Sequence, residues 1–232
     1  MQLKPFNVYI GYDKREDLAA QICKYSIVRR TKPIDVSFLK LQEIPELVRP
    51  REEKQSTDFT YSRFMIPYLE EYQGFSLFCD CDFLFLDDIR EISRMIDPTK
   101  AVSVVRHPMY IPNSALKMDG IEQHTMLRKN WASLIMFNNG HPSNRRLTPE
   151  LINTVQPGKV LHQFGWLEDE EIGSISLDWN VLDGYYELDN PRAIHYTDGG
   201  PWFDDYKTTH YSAFWLSELQ HYEHTRRLAR NL

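Results

Sequence analysis

No apolar run in this 232-residue chain approaches the roughly 20 residues that cross a bilayer. Residues 1–6 carry no charged-then-apolar leader and run straight into a strand-like segment. The two absences together give the expectation of a cytoplasmic protein. Cysteine is scarce, limited to Cys23, Cys79 and Cys81. An odd count argues against a disulfide framework, and a Cys-x-Cys with no partner pair argues against a zinc site. All three read as small buried apolar residues. Repeats, low-complexity tracts and Gly/Ser linkers are missing too, so residues 1–232 are read as one domain. Positive charge is in deficit: the formal net charge of −6 argues against a nucleic-acid-binding face. An anionic substrate would then need local neutralisation, which a metal ion would supply.

What is present suffices for a sizeable α/β core, with 42% hydrophobic and 26% charged residues in the normal globular range. Residues 7–12 read as a buried strand. Residues 17–30 place Leu18, Ala19, Ile22, Cys23, Ser26 and Ile27 at helical spacing, and residues 34–39 alternate as a half-buried strand. That order predicts a parallel βαβ unit. A helix is expected over residues 60–72, with Pro67 in its first turn or at a kink. Residues 75–86 read as one apolar strand interrupted by two aspartates, with Asp87 or Asp88 capping the next helix. Residues 101–105 and 132–137 read as core strands. The polar segment between them, 106–130, is long enough to be an acceptor-side loop. After Asp178 the chain turns irregular and aromatic, then closes in a helix over residues 211–230.

The sharpest feature is Phe78-Cys-Asp80-Cys-Asp82-Phe83. On a strand the two aspartates share a face, starting roughly 6.6 Å apart at the ordinary rise. Like charges between apolar runs are costly unless a cation compensates them, and hard oxygen ligands suit magnesium or manganese. The alternative is a strand end where aspartates cap a turn. His195, ending a short apolar run before Asp198-Gly199-Gly200, reads as a third ligand, or as a turn residue packed on Trp202. Arg63, in Thr60-Tyr61-Ser62-Arg63, reads as a phosphate or carboxylate clamp, or as a solvated surface residue.

These elements, in this order, resemble family-eight glycosyltransferases, the group that includes glycogenin and bacterial lipopolysaccharide galactosyltransferases. The resemblance rests on Gly11-Tyr12-Asp13, Tyr61-Ser62-Arg63 with Ile66-Pro67, Asp80-Cys81-Asp82, the segment from Ser133 to Asn138, Trp179-Asn180-Val181, and His195-Tyr-Thr-Asp-Gly199. It implies a GT-A fold, an αβα sandwich with a mixed, mostly parallel sheet. It also implies a divalent metal, manganese first and magnesium as the alternative, held by Asp80, Asp82 and His195. Arg63 is implied as a brace for the donor diphosphate or for the first aspartate. Gly11, Tyr12 and Asp13 fall where the family contacts uridine, and the Gly199 and Gly200 amides fall beside the diphosphate. Asp169 and Glu170 align with an Asp-Gln pair near the transferred sugar. Three departures stand out. No lysine precedes Pro201, Trp131-Ala132-Ser133 replaces an Asn-Ala-Gly stretch, and Glu170 replaces the glutamine.

The expected function is metal-dependent transfer of a sugar from a nucleotide sugar, UDP-linked by family analogy, to a glycan or other hydroxyl acceptor with retention. Nucleic acid is not an expected partner. Tyr185, Tyr186, Trp202 and Phe203 read equally as an acceptor platform and as core. The final Arg226-Arg227-x-x-Arg230 reads as a weak contact to an anionic membrane surface or acceptor, or as a solvated helix end. The alternatives are a sugar nucleotidyltransferase, disfavoured because only one glycine follows the first strand in Gly11-Tyr-Asp-Lys-Arg15, and a non-catalytic nucleotide-sugar-binding scaffold.

Overall fold

The computed structural model describes residues 5–52, 55–107, 128 and 130–230. Most of the acceptor-side segment, 108–127 and 129, therefore lies outside the described residues. β1 (Asn7–Gly11), α1 (Asp17–Arg30) and β2 (Val36–Leu39) form the expected parallel unit, with Val8 opposite Val36. The expected helix over 60–72 is a 3-10 turn, Ser62–Met65, that runs into the short α2 (Ile66–Leu69). Pro67 stands in the first turn of α2, where its missing N–H costs nothing.

β3 (Phe75–Cys79), β4 (Phe83–Phe85), β5 (Val102–Val105) and β6 (Leu134–Asn138) follow. After them come α3 (Pro149–Thr154), α4 (Lys159–His162), β7 (Ile172–Ile175), β8 (Val181–Leu182), β9 (Ala193–His195) and α5 (Ser212–Arg230). The main sheet has six strands in the order β2-β1-β3-β6-β5-β7, and β6 alone runs against its neighbours. A second sheet has the order β4-β9-β8. The centre of the main sheet is buried on both faces: all four β5 residues, and Leu134 to Phe137 of β6, are shielded from solvent. Such strands read as continuous apolar runs rather than alternating ones. The mixed, mostly parallel sheet matches the fold class expected from the sequence.

One element differs. Residues 75–86 are two strands in two sheets, not one strand. β3 ends at Cys79, the Asp80 amide donates to the Ser133 carbonyl at 2.9 Å, and β4 pairs with β9 in the small sheet. Carboxylates inside a doubly covered sheet would lose their hydration without compensation, so the chain leaves the main sheet where they begin. The cysteines are buried thiols as expected, with Cys23 Sγ 3.9 Å from Cys79 Sγ. Burial pushes the pKa of the Cys79 and Cys81 thiols well above the ordinary thiol range, which leaves them unreactive. Of the two cap candidates, Asp88 accepts from the Arg90 amide at the start of a 3-10 helix, Ile89–Met95. Among the described residues no helix is long and apolar enough to cross a membrane.

α1 lies between two hydrophobic clusters. Cys23 and Ile27 belong to the main core, whereas Ile22 packs with Leu84, Val181, Ile194, Tyr196, Tyr211 and Trp215. α5 is pinned to α1 by Glu218, only 3% exposed, which accepts from Arg29 at 3.0 Å and from Arg30 at 2.7 Å. Glu218→Ala is expected to cost about 1–2 kcal/mol, because the two arginines reach water once the carboxylate is gone. Urea unfolding checks the cost, and faster proteolysis within α5 checks its location.

Candidate active site

Parallel strands that end together gather residues distant in sequence, and open α/β sheets bind ligands at that edge. β1 runs there into Tyr12 and Asp13, β3 into Asp80, and β5 into Arg106 and His107, while the reversed β6 begins there just after Ser133. Ligand atoms of Asp80, Asp82 and His195 all lie within 4.8 Å of one another. The second sheet causes this convergence: Phe83 pairs with His195, and the Tyr196 amide donates to the Asp82 carbonyl at 3.0 Å. His195 Nε2 is 3.3 Å from Asp82 Oδ1. The imidazole is 1% exposed and stacks on the Phe83 ring, centroids 4.5 Å apart. Its packing partner is thus Phe83; Trp202 packs instead on Tyr196 and Trp215.

Arg63 is buried, not a solvated surface residue. Its guanidinium reaches Asp80 Oδ1 at 2.7 Å and donates to the Ala132 carbonyl at 2.6 Å, lying over the Phe78 ring. Of its two implied roles, the geometry shows the brace on the first aspartate. The Asp80 and Asp82 side chains retain exposures of 17% and 14%. Two carboxylates and one imidazole, reachable from solvent, fit a divalent cation of the magnesium or manganese class.

The donor-side residues divide. Gly11 ends β1, and a Cβ there would meet the Phe59 ring at 2.4 Å. Tyr12 is partly buried, its hydroxyl donating to Asp17 at 2.8 Å. Asp13 is 1% exposed and accepts from Arg15 and from the Asp58 amide. Burial raises its pKa, but Arg15 and the backbone N–H groups outweigh that and hold the carboxyl below its ordinary value. Asp13 therefore builds the wall of the edge. The loop after β9 carries Gly199 at φ 125°, its amide bonded to the Tyr196 carbonyl at 2.9 Å. A Cβ on Gly200 would meet the Trp202 ring at 2.1 Å. Glycine therefore suits both positions of this turn.

Asp169 and Glu170 are not brought to this edge. They stand immediately before β7, at the end of the sheet away from Asp80, where Glu171 bonds Ser143 just beyond the far end of β6. Asp169 is exposed and paired with Arg128, and the Glu170 carbonyl accepts from Lys100 Nζ at 2.7 Å. An open groove lined by Asp97, Lys100 and Arg106 lies beside them. Sequence order alone does not say at which end of a strand a residue falls.

The aromatic cluster is largely built into the fold. Tyr186 donates to the Asn180 carbonyl at 2.8 Å and meets His107 Nδ1 at 2.8 Å; Tyr185 donates to Asp198 at 2.7 Å. His107 carried no sequence signal beyond following a core strand. It is 6% exposed, and burial, with His195 nearby, pushes its pKa down to about 3, so it is a neutral imidazole near pH 7. Asn180 was visible in the Trp179-Asn180 pair but without a role. Its Oδ1 lies 3.1 Å from His195 Nδ1.

Comparison with known proteins bears on the fold and the family. A curated Arabidopsis thaliana protein, Protein CDI, is 44% identical over 229 residues, covering 94% of this chain and 88% of its own. The bifunctional glycosyltransferase WbbM superposes with a TM-score of 0.67 at 15% identity, over 93% of this chain and 49% of that one. GlyE of Streptococcus pneumoniae TIGR4 gives 0.63 at 14% identity, over 93% of this chain and 60% of that one. The galactosyltransferase LgtC, solved with donor and acceptor sugar analogues, gives 0.59 at 11% identity, over 92% and 95%. The chain thus spans about half of WbbM and 60% of GlyE, and these likenesses show a shared GT-A fold. Residues 1–144 match glycosyl transferase family 8. On that match and the 44% identical relative, the chain belongs to glycosyl transferase family 8 and is a glycosyltransferase.

Proposed function

We propose that the chain moves a hexosyl group from a nucleotide sugar, a UDP sugar first among candidates, to a hydroxyl of a glycan or other acceptor with retention at the anomeric carbon. The observation that carries this reading is the convergence of Asp80, Asp82 and His195 within 4.8 Å at the ligand-binding edge of a GT-A sheet. Carboxylate oxygens of the two aspartates and Nε2 of His195 would hold a divalent cation, manganese by preference. When bound, such an ion supplies neutralisation of the charge that develops on the departing diphosphate. Arg63 fixes Asp80 and, by its charge, lowers the cost of gathering two carboxylates. The Gly199 and Gly200 amides, in the turn that follows His195, would approach the donor diphosphate. Attack by the acceptor from the face the leaving group departs requires no strong enzymatic nucleophile.

A screen of nucleotide diphosphates and nucleotide sugars by thermal unfolding, with manganese and with chelator, tests the reading. A ligand at a hundred times its dissociation constant adds about 2.7 kcal/mol, a rise of roughly 5–10 °C for a chain of this size. The expected result is such a rise for UDP or one UDP sugar only with the metal, followed by slow hydrolysis of that sugar. Metal-dependent binding with neither hydrolysis nor transfer for any donor would support a scaffold. Turnover that consumes a nucleoside triphosphate would support a nucleotidyltransferase.

A further inference from the structure

We infer that Asn180, backed by Ser133, is a positioning residue that fixes the tautomer of His195 and so presents the Nε2 lone pair toward Asp80 and Asp82. The inference rests on the metal reading above and adds to it a residue with a stated task.

The argument begins at a group whose role is fixed by chemistry. The Asn130 carbonyl can only accept, and the Ser133 hydroxyl lies 2.6 Å from it, so Ser133 spends its single proton there. Toward its other neighbour Ser133 Oγ can then only accept. That neighbour, at 3.0 Å, is the side-chain amide of Asn180, which must turn its NH2 to the serine. The Asn180 Oδ1 is thereby directed to His195 Nδ1 at 3.1 Å. An amide oxygen only accepts, so Nδ1 carries a proton, and in the neutral ring that binds a metal Nε2 holds the lone pair. Nε2 is the nitrogen 3.3 Å from Asp82 Oδ1 and within reach of Asp80. Every donor in the chain Ser133, Asn180, His195 points one way, and of the two neutral tautomers only the one protonated on Nδ1 satisfies all three contacts.

The relay is also held in place. Ser133 and Asn180 are 3% and 0% exposed, so water does not substitute for either partner. The Asn180 carbonyl accepts from Tyr186 at 2.8 Å, which locks its backbone. Asn130 anchors the far end in a left-handed conformation, φ 63°, that asparagine tolerates better than most residues. A ligating histidine commonly owes its orientation to a partner on its other nitrogen, and losing that partner lowers metal affinity about 10–100-fold. This geometry also explains why Trp179-Asn180 carries information. Trp179 is core, and Asn180 is the acceptor that His195 requires.

The test reads the tautomer directly. Long-range proton–nitrogen correlation spectra of the metal-free protein, with the His195 signal assigned by its loss in His195→Gln, report which ring nitrogen is protonated. Manganese affinity in the presence of UDP is measured in parallel on wild type, Asn180→Asp and Asn180→Leu, with folding checked by near-UV circular dichroism. Expected are Nδ1–H in wild type and in Asn180→Asp, which keeps an acceptor. Asn180→Leu is expected to lose that signature and bind manganese about 10–100-fold more weakly. If Asn180→Leu keeps both the Nδ1–H signature and wild-type affinity, or if wild type carries its proton on Nε2, the inference is overturned while the metal reading survives. If the tautomers behave as expected but wild type binds no manganese, the metal reading fails, and the ligand-presenting role with it.

Discussion

Asp82→Ala is expected to lower sugar transfer about 10²–10³-fold, with the fold intact. The effect is large because Asp82 stands where two sheets meet: its carbonyl accepts from Tyr196 at 3.0 Å, and its carboxylate is 3.3 Å from His195 Nε2. Truncation leaves the backbone contact that holds β9 in place and removes only the carboxylate. It also relieves repulsion between two like charges, so stability should change by no more than about 0.5 kcal/mol or rise slightly. The combination is diagnostic. A structural aspartate would lose stability and activity together; a ligand loses activity alone. Asp82→Asn, which keeps shape and hydrogen bonding but gives up the charge, should be nearly as inactive as alanine. Steady-state kinetics beside urea unfolding separates these outcomes, and an Asp82→Ala protein with wild-type turnover in excess chelator would remove the metal from the account.

Arg63 should behave in the opposite way. Its guanidinium is 5% exposed and joins Asp80, at 2.7 Å, to the Ala132 carbonyl just before β6, at 2.6 Å. Arg63→Ala strips the carboxylate of its partner, leaves a buried carbonyl unbonded and empties the space over the Phe78 ring. Breaking a fully buried pair costs about 3–5 kcal/mol; Asp80 keeps 17% side-chain exposure, so about 2–3 kcal/mol is expected. Transfer should fall as well, because Asp80 is no longer held. Arg63→Lys retains the charge but not the planar fork, and should recover much of the stability and less of the activity. Equal recovery of both would mean that Arg63 acts only as a counter-charge.

Much of this was legible in the sequence, and where it failed the reasons are physical. α1 spans residues 17–30 as its apolar spacing predicted. Asp80, Asp82 and His195 were visible because charged and titratable residues rarely interrupt apolar runs without a compensating partner. The break between β3 and β4 was not visible: Phe78 to Phe85 reads as one strand by composition, and only the pairing of Phe83 with His195 shows the chain changing sheets. β7 was missed because Ile-Gly-Ser-Ile has neither length nor a clean period, and Gly173 is there for packing, since a Cβ would meet Ser103 Oγ at 2.6 Å. His107 and Ser133 are single polar residues beside core strands, and their partners are 79 and 47 residues away in the chain. Contacts of that separation exist only after folding.

The claim beneath all of this is that one imidazole and two carboxylates bind the same ion. Pulsed electron paramagnetic resonance on manganese added to the protein with UDP measures it most directly, because a coordinated ring nitrogen modulates the manganese echo. The account predicts nitrogen modulation in wild type that vanishes in His195→Gln, and displacement of the ion into solution in the Asp80→Ala, Asp82→Ala double variant. A wild-type spectrum showing manganese on UDP and water alone, unchanged by any of the three substitutions, would contradict it.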